Sequence, residues 1–383
     1  MGGQLSKKHI IKTETINNGV GKLPALGFNT WNLYQCNYTA DVLLEQAQAI
    51  VDRGLLKARY NCFMLDDCYS LKERDENGRI FPNGMKNFTE SLAKLGFRAG
   101  IYSDAGYHLE TFAEWGFEYL KYDNSYIPFD NVTQENQPWR WAGRLGQSWR
   151  IGGDIRPWWS ALSTIINQAS FIAGVTGFYG RNDLDMLEVG NTGIGTPPGN
   201  LSYDEAKSHF TAWALLKSPL LIGSDVASAS RETIEILGNE DILRINQDPH
   251  VREAVAPFRW GHNADYTWDP DHPAEYWTGN SSYSVVFMVL NTLDEPRHMS
   301  FNLTESWAIR AGRLYSVYDL WTHTDNGTAY RNISLALPPH NVAALLLNGA
   351  GPEPEAAEPY CAVWWQCSYP NVIVVDDDDG WHG

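Results

Sequence analysis

The sequence predicts an α/β fold, a (β/α)8 barrel of the TIM type followed by a small antiparallel β-sandwich. Between residues 23 and 225, short apolar runs alternate with amphipathic stretches, the pattern of a parallel sheet covered by helices. After residue 248, alternating β-type runs at 283–290, 313–320 and 342–347 are separated by turn residues, which indicates an antiparallel domain. We therefore divide the chain into an N-terminal extension (1–22), a barrel (23–248), a β domain (249–348) and a linker with an unassigned tail (349–383).

Seven apolar runs are the predicted barrel strands, at residues 23–31, 62–67, 98–105, 119–124, 148–154, 177–186 and 219–226. Helical stretches lie between them, at residues 40–54, 87–95, 108–115, 158–169, 203–217 and 231–237. A barrel of about 250 residues allows roughly 31 residues for each of eight βα units. The interval from the fourth run to the fifth has about that length but contains no convincing helix. Either an eighth strand is hidden around residues 132–141, or one βα unit is missing.

The composition excludes several classes of partner. The chain has 383 residues and a net charge of −17, and no Lys/Arg cluster offsets this acidic surplus, so nucleic acid is not expected as a partner. No apolar run approaches the roughly 18 residues that a membrane span needs. Aromatic residues form 13% of the chain, and flat aromatic faces suit sugar rings as well as protein cores. A neutral substrate is therefore expected, and the sequence does not indicate an oligomeric state.

Eight Asn-x-Ser/Thr acceptor motifs predict a secreted, extracellular glycoprotein. They begin at Asn37, Asn87, Asn131, Asn200, Asn280, Asn302, Asn326 and Asn332. The first 22 residues contain no apolar segment of the kind found in a signal peptide. The five cysteines lack zinc-finger spacing, and we expect two pairs and one buried thiol.

Polar residues follow several of the predicted strands, in motifs at residues 65–69, 121–124, 148–154 and 181–186. The carboxyl ends of all strands in a parallel barrel open onto one mouth, so the carboxylates, Lys121 and Arg150 of these motifs are expected to gather there. No cluster of His, Cys and Asp has the spacing of metal ligands, so no metal or other cofactor is expected. The pattern favours acid/base chemistry by carboxylates.

Taken in order, these motifs resemble those of the melibiase-type α-galactosidases, glycoside hydrolase family 27. The opening Leu-Gly-Phe-Asn-Thr-Trp-Asn is followed by Asp-Asp-Cys, Gly-Ile-Tyr-Ser-Asp, Lys-Tyr-Asp-Asn, Ser-Trp-Arg-x-x-x-Asp-Ile and Asn-Asp-x-Asp-Met-Leu-Glu-Val-Gly-Asn. The resemblance extends from residue 23 to residue 347. It implies an exo-acting hydrolase that releases terminal α-linked galactose with retention, through a covalent glycosyl-enzyme intermediate and two carboxylates about 5 Å apart.

The resemblance also implies roles for individual residues. By motif match, Asp123 is the nucleophile and Asp154 is the acid/base. Lys121 lies two residues before Asp123 on the same strand face, so its charge is expected to keep Asp123 ionised. Arg150 precedes Asp154 by four positions and is expected to orient the sugar and its carboxylate partners.

Further residues are implied to contact the sugar or to link the loops around it. Asp66 and Asp67 are expected to grip the hydroxyls at the far side of galactose, including the axial 4-hydroxyl. The other implied positions are Asp185 and Met186 on the pocket floor and wall, Phe28 and Tyr69 where the family usually has Trp, and a disulfide between Cys36 and Cys68.

One departure from the family leaves alternatives open. Asp123 and Asp154 are only 31 positions apart, and the helix and fifth strand that the family places between them are not visible. In the family, this segment forms the part of the pocket wall that distinguishes the substituent at sugar C2. The sequence therefore does not predict whether the substrate is galactose or N-acetylgalactosamine. The alternatives are a catalytically impaired or inactive paralogue and a related specificity, such as that of an α-N-acetylgalactosaminidase or a β-L-arabinopyranosidase.

Overall fold

The computed structural model describes residues 15–70, 85–103, 109–123, 137–193, 199 and 201–355, and within these ranges it describes the side chains of all residues except 109–111. It contains a parallel α/β barrel followed by an antiparallel β domain, so the predicted fold class is confirmed.

All seven predicted barrel strands are present. They are β1 (Leu26–Asn29), β2 (Cys62–Leu65), β3 (Arg98–Ser103), β4 (Phe117–Tyr122), β5 (Ser148–Arg150), β6 (Arg181–Asp183) and β7 (Leu220–Ile222). Five form one parallel sheet in the order β4-β3-β2-β1-β7, and β5 pairs with β6 in a second. A parallel bridge between Leu187 and Ile222 joins the segment after β6 to β7. Every residue of β1, β2 and β7 is buried, as expected for parallel strands covered on both faces.

Helices cover the outside of the barrel. They are α1 (Trp31–Tyr34), α2 (Ala40–Asp52), α3 (Met85–Leu95), α4 (Leu109–Glu114), α5 (Trp159–Ile172), α6 (Tyr203–Leu215), α7 (Arg231–Leu237) and α8 (Glu240–Asn246). Local sequence sets several of their starts: Ser202 caps α6 in a capping box with Glu205, and Ser230 caps α7 by accepting from Thr233 N. No helix in the described part of the chain is long and apolar enough to cross a membrane.

The described residues contain no strand between β4 and β5. Of the expected strand around 132–141, residues 132–136 lie outside the described residues, and the remainder forms a 3-10 turn at Pro138–Arg140. The outer face of β4 is open at Leu120 (38% exposed) and Tyr122 (57% exposed). On the inner face, the buried Tyr119 phenol contacts the Ser148 side chain of β5, and burial raises the pKa of Tyr119. Side chains thus span the gap between the two strands.

The second domain is a β-sandwich. Its strands are β8 (Ala256–Arg259), β9 (Tyr276–Asn280), β10 (Val285–Leu290), β11 (Arg297–Asn302), β12 (Arg313–Asp319), β13 (Thr324–Ala329), β14 (Asn332–Leu337) and β15 (Val342–Pro352). A six-stranded antiparallel sheet, β13-β12-β15-β10-β9-β8, packs on the β11-β14 pair around a core that includes Phe287 stacked on Phe301. Residues 349–352, which were assigned to the linker, instead continue β15, because they pair with the start of β12. The other domain boundaries stay predictions.

The two domains share a polar and aromatic junction. The Trp321 indole donates to Thr211 Oγ1 of α6 at 3.0 Å, and the Tyr318 phenol donates to Asp241 of α8 at 2.8 Å. The His340 ring stacks on Trp159 at the start of α5, with centroids 4.2 Å apart. The β domain therefore supports the barrel helices from outside.

Candidate active site

Carboxylates from four parts of the barrel follow the carboxyl ends of their strands. Asp66 and Asp67 follow β2, Asp123 follows β4, Asp154 lies four residues beyond β5, and Asp185 lies two residues beyond β6. The strands are parallel, so all five carboxylates belong to one end of the barrel. The residues that the sequence motifs predict for the site therefore lie at the same end of the barrel.

Asp66 is buried and paired within the protein. Its Oδ2 accepts from Lys121 Nζ at 2.7 Å and from Asn29 Nδ2 at 2.6 Å, while its backbone N–H donates to Thr30 Oγ1. Burial alone would lower the pKa of Lys121, but the charge of Asp66 outweighs it and raises that pKa above its usual value. Lys121 therefore stays cationic, with β4 tied to β2 and β1.

Asp123 is held by the neighbouring strand β3. Its backbone N–H donates to Ser103 O at 2.8 Å, and its Oδ2 accepts from the Tyr102 phenol at 3.1 Å. The Lys121 ammonium also lies 5.3 Å from the centroid of the Tyr102 ring, over its face. Asp123 is half-buried. Tyr102 lies in the Gly-Ile-Tyr-Ser-Asp motif, but the sequence did not assign it a role.

Arg150 joins the loops that follow β5 and β6. Its Nη2 lies 3.2 Å from Asp154 Oδ1 and 2.9 Å from Asp185 Oδ2, and it also donates to Gly153 O. Burial alone would lower the pKa of Arg150, but the surrounding carboxylates raise it. The Asp185 side chain is 5% exposed and that of Asp154 is 67% exposed. Asp154 is therefore the outer carboxylate, accessible to solvent and substrate.

The backbone of the loop after β6 is held by hydrogen bonds in an unusual conformation. Asp185 adopts φ of +78°, a left-handed conformation that is strained for a residue other than glycine. Its N–H donates to Asp183 Oδ1, its carbonyl accepts from the Trp213 indole, and its Oδ2 accepts from Ile155 N. Strain of this kind persists where surrounding contacts enforce it, which is common at functional sites. Met186, the implied pocket wall, is buried and its role stays a prediction.

Glu188 is a further carboxyl group, three residues beyond Asp185, to which the sequence analysis assigned no role. It is 1% exposed and accepts from Asn32 Nδ2 after β1 and from Asn191 Nδ2. Its backbone N–H donates to Nε2 of the buried His209. Burial, the largest cause, raises the pKa of Glu188 to about 8. Glu188 thus links the loops after β1 and β6.

Asp67 and Tyr69 lie beside the disulfide. Asp67 Oδ1 accepts from Cys68 N at 2.6 Å, and among the described residues none donates to its Oδ2. Of the adjacent pair, Asp67 is therefore the carboxylate with acceptor capacity left for a sugar hydroxyl. The Tyr69 phenol donates to Tyr102 O at 2.7 Å, which places it against the strand before Asp123. The implied disulfide between Cys36 and Cys68 is confirmed, and Cys62 is a buried thiol.

Phe28, which the resemblance implies as a sugar contact, is a buried residue of β1, and its role stays a prediction. Phe28 is 0% exposed and packs 5.1 Å from the Phe63 ring and 6.4 Å from the Tyr34 ring. All four residues of β1 are buried, so alternation could not identify which side chains reach the mouth. Trp31, two residues beyond the end of β1, is half-buried.

Charged side chains of the described residues pair with one another at the mouth. Within the described ranges, no group of three or more His, Cys, Asp or Glu side chains is arranged to hold a metal ion. The donors Lys121 and Arg150 instead neutralise the two innermost carboxylates, Asp66 and Asp185. Asp123 is half-buried and Asp154 is exposed, so these two carboxylates, which follow the consecutive strands β4 and β5, are more accessible than Asp66 and Asp185. Such a pair can carry nucleophilic and acid/base chemistry at a sugar carbon.

Comparison with known proteins gives the same assignment. A family model described as alpha galactosidase A matches residues 23–142 and 128–248, and one described as the alpha galactosidase C-terminal beta sandwich domain matches residues 271–347. The fold, the site and these matches define a glycoside hydrolase. The chain belongs to the melibiase-type α-galactosidase family, glycoside hydrolase family 27.

Individual relatives cover nearly all of the described chain. A protein of Talaromyces emersonii named "Probable alpha-galactosidase B" is 33% identical over 87% of this chain and 93% of its own length. α-Galactosidase I from Mortierella vinacea, a solved structure, is 28% identical with a TM-score of 0.75, over 88% of this chain and 100% of that one. The α-galactosidase from Saccharomyces cerevisiae with raffinose shares the fold at 23% identity, with a TM-score of 0.74 over 87% of this chain and 99% of that one.

The relatives carry segments that this chain lacks. The alignment with the T. emersonii protein extends over 429 positions, more than the 383 residues of this chain, so the relative carries segments that are absent here. The two matches to the barrel model overlap at residues 128–142, between β4 and β5. This is the interval in which the sequence predicts either a hidden strand or a missing βα unit.

Proposed function

We propose that this protein is a retaining exo-α-galactosidase that hydrolyses terminal α-linked galactose in oligosaccharides or glycans. The observation that carries the proposal is the placement of Asp123 and Asp154 at the ends of the consecutive strands β4 and β5, each anchored by a different donor. Asp123 is anchored by the Tyr102 phenol and Asp154 by Arg150. Family membership supports the same chemistry.

The reaction follows in two balanced steps. A carboxylate oxygen of Asp123 attacks the anomeric carbon as the glycosidic bond breaks, and Asp154 gives its proton to the leaving oxygen. Water then loses a proton to Asp154 and attacks the same carbon, which releases Asp123 and galactose of retained configuration. The Tyr102 phenol fixes the attacking carboxylate, and Arg150 fixes the loop that carries Asp154. Asp67, with an oxygen that no described residue occupies, accepts from sugar hydroxyls.

Proton NMR of 4-nitrophenyl α-galactoside incubated with the full chain tests the proposal. We expect α-galactose to appear before mutarotation. Asp123→Asn should lower kcat/KM by at least about 10³-fold. Asp154→Asn should lower it by about 10² to 10⁴-fold on a substrate with a poor leaving group and less on the nitrophenyl substrate, because an activated leaving group needs less protonation. Asp52→Asn, an exposed carboxylate on α2, is the matched control and should retain full activity.

The other outcomes decide between the remaining candidates. A cooperatively folded chain without turnover would identify a non-catalytic paralogue, which is favoured by the lack of a second strand partner for β4 among the described residues. Preferential hydrolysis of an α-N-acetylgalactosaminide or a β-L-arabinopyranoside would assign the related specificity instead. Initial release of the β-anomer would overturn the retaining mechanism.

The same proposal includes the location. In every acceptor motif whose asparagine is described, that asparagine is exposed, as a glycan requires: Asn37, Asn87, Asn280, Asn302, Asn326 and Asn332. We therefore expect secretion as a glycoprotein. Treatment of the protein from a eukaryotic host with an N-glycosidase should lower its mass in several steps, and an unchanged mass would contradict this expectation.

A further inference from the structure

Three exposed aromatic side chains gather around a buried tryptophan away from the mouth. Phe171 at the end of α5 is 43% exposed, Tyr266 is 65% exposed and Trp268 is 57% exposed, whereas Trp260 beneath them is 2% exposed. We call Phe171, Tyr266 and Trp268 the aromatic platform. Neither the candidate active site nor the core uses these three rings.

The rings of the platform are mutually oriented. Phe171 and Trp268 are stacked, with centroids 6.1 Å apart and an interplanar angle of 23°. Trp260 supports the group from below, with centroids 4.9 Å from Phe171 and 5.9 Å from Tyr266. The Phe171 and Trp268 rings are therefore nearly parallel, with part of each ring open to solvent.

The loop that carries two of these rings is internally hydrogen-bonded. Asp265 Oδ1 accepts from Trp260 N at 3.1 Å, and the Asn263 side chain donates to Thr267 O at 3.0 Å. At its base, Gly261 adopts φ of +82°, and a Cβ there would overlap the carboxylate of the fully buried Glu275. This backbone holds Tyr266 and Trp268 outward without a further ordering cost on binding.

Carboxylates lie in the loop that carries Tyr266 and Trp268. Asp265 and Asp271 are exposed in the same loop, and Asp269 pairs with His272 at 3.0 Å. Aromatic faces are electron-rich and attract the C–H face of a pyranose, while carboxylates accept from its hydroxyls. The local carboxylates and the net charge of −17 oppose anionic lipids and nucleic acids. A neutral polyhydroxylated ring complements the surface.

The platform lies at the far end of α5 from the mouth. α5 begins after the loop of Asp154 and ends at Ile172, and its 14 residues span about 20 Å at 1.5 Å per residue. Because the helix runs back from the mouth, Phe171 lies near the opposite end of the barrel. A sugar on the platform therefore does not occupy a subsite next to Asp123 and Asp154.

The area fits a small ligand better than a second copy of the chain. Aromatic side chains bury about 150–250 Å² each, so three of them exposed by about half offer on the order of 300 Å². A stable protein interface needs about 800 Å² from each partner. One or two pyranose rings need no more than the platform supplies.

We propose that the platform of Phe171, Tyr266 and Trp268 is a carbohydrate-binding surface for neutral oligosaccharides or polysaccharides, separate from the catalytic mouth. It holds the enzyme on a glycan while the mouth acts elsewhere. Binding at the platform needs no turnover, so it can be tested whether or not the chain is an α-galactosidase.

Affinity electrophoresis in gels that contain a neutral polysaccharide, galactomannan or mixed-linkage β-glucan, measures this binding. The parent chain carries Asp123→Asn so that no hydrolysis removes the polymer, and galactose in the gel saturates the mouth. Trp268→Ala and Tyr266→Ala are each expected to raise the Kd for the polysaccharide about tenfold, equivalent to about 1.4 kcal/mol. Retardation in the gel should fall accordingly. Trp307→Ala is the matched control, because Trp307 is 60% exposed and lies outside the platform.

Each outcome decides the proposal. Retardation that Trp268→Ala and Tyr266→Ala abolish and Trp307→Ala preserves, with unchanged thermal unfolding, supports it. A parent chain that neither polymer retards, or platform variants that bind like the parent, would overturn it. Sedimentation velocity that reveals self-association lost in Trp268→Ala would assign the platform to a second copy of the chain instead.

Discussion

Lys121 Nζ lies 2.7 Å from Oδ2 of Asp66, so the strand that carries the proposed nucleophile is tied to β2 through the interior of the barrel. The Asp66 side chain is 2% exposed and that of Lys121 is 27% exposed. β4 has no strand partner on its other side among the described residues. This ion pair is therefore a principal restraint on the position of Asp123.

Lys121→Met should destabilise the protein and impair catalysis together. Removal of one partner leaves a buried charge unpaired, which costs about 3–5 kcal/mol in a fully buried pair. Because Lys121 is partly exposed, we expect about 2–4 kcal/mol by urea denaturation. Lys94→Met, at an exposed position on α3, should change stability by less than about 0.5 kcal/mol. Equal losses in the two variants would mean that the pair contributes nothing specific.

The sequence predicted the fold well because its signals are local. Each barrel strand is a short apolar run, and polar residues at the carboxyl ends of β2, β4, β5 and β6 indicated the mouth. The partner of Lys121 could not be predicted this way, since Asp66 is 55 positions away. The role of Phe28 stays a prediction for a related reason. In a strand buried on both faces, nothing in the sequence distinguishes core side chains from those that face a ligand.

Other site residues were present in the quoted motifs but their roles depend on packing. Tyr102 reaches Asp123 only because β3 and β4 are adjacent in register. The pKa of Glu188 is raised only because the loops after β1 and β6 enclose its carboxyl group. Neither contact follows from residue type or spacing, so the sequence could indicate the carboxylates but not what holds them.

Glu188 should make stability fall as pH rises. The carboxyl has a pKa of about 8 in the folded protein, whereas its ordinary pKa is 4.5. The folded state therefore binds the proton more tightly than the unfolded state. Its contribution is therefore fully present below about pH 4.5 and is lost as pH rises through about 8. Urea denaturation of Glu188→Gln and the parent at pH 5 and pH 8 measures this. We expect the parent to lose about 2–5 kcal/mol more than the variant between the two values.

A single control separates titration of Glu188 from a general pH effect. Glu90→Gln removes an exposed carboxyl on α3 and should keep the parent's pH dependence. If the free energies of unfolding of Glu188→Gln and Glu90→Gln depend on pH in the same way, Glu188 is ionised at both pH values and burial does not raise its pKa. In Glu188→Gln, an amide NH2 replaces one of the two oxygens that accept from Asn32 and Asn191. The stability lost with that hydrogen bond is the same at both pH values, so it cancels when the two pH values are compared.

The disulfide between Cys36 and Cys68 should stabilise the mouth. It joins the loops after β1 and β2 across a sequence separation of 32, for which chain entropy predicts about 4 kcal/mol. The double variant Cys36→Ser with Cys68→Ser should lose about that much in urea denaturation. Cys62 should stay unmodified by a thiol reagent in the folded protein, because burial raises its pKa to about 12. Peptide mapping that finds Cys62 labelled as fast as in the unfolded chain would contradict this.

The unpaired edge of β4 should appear in hydrogen exchange. β2 is paired on both sides, with β1 and β3, whereas β4 is paired only with β3 in the part of the chain that the structure describes. Backbone N–H groups of β4 that point away from β3 lack a ladder partner there, so peptides covering Phe117–Tyr122 should exchange faster than those covering Cys62–Leu65. Exchange followed by mass spectrometry measures both peptides in one sample. The Phe117–Tyr122 peptide should also slow when galactose binds, because a ligand at Asp123 restrains the strand. If it is as protected as Cys62–Leu65 without ligand, another part of the chain completes the sheet and the barrel is closed.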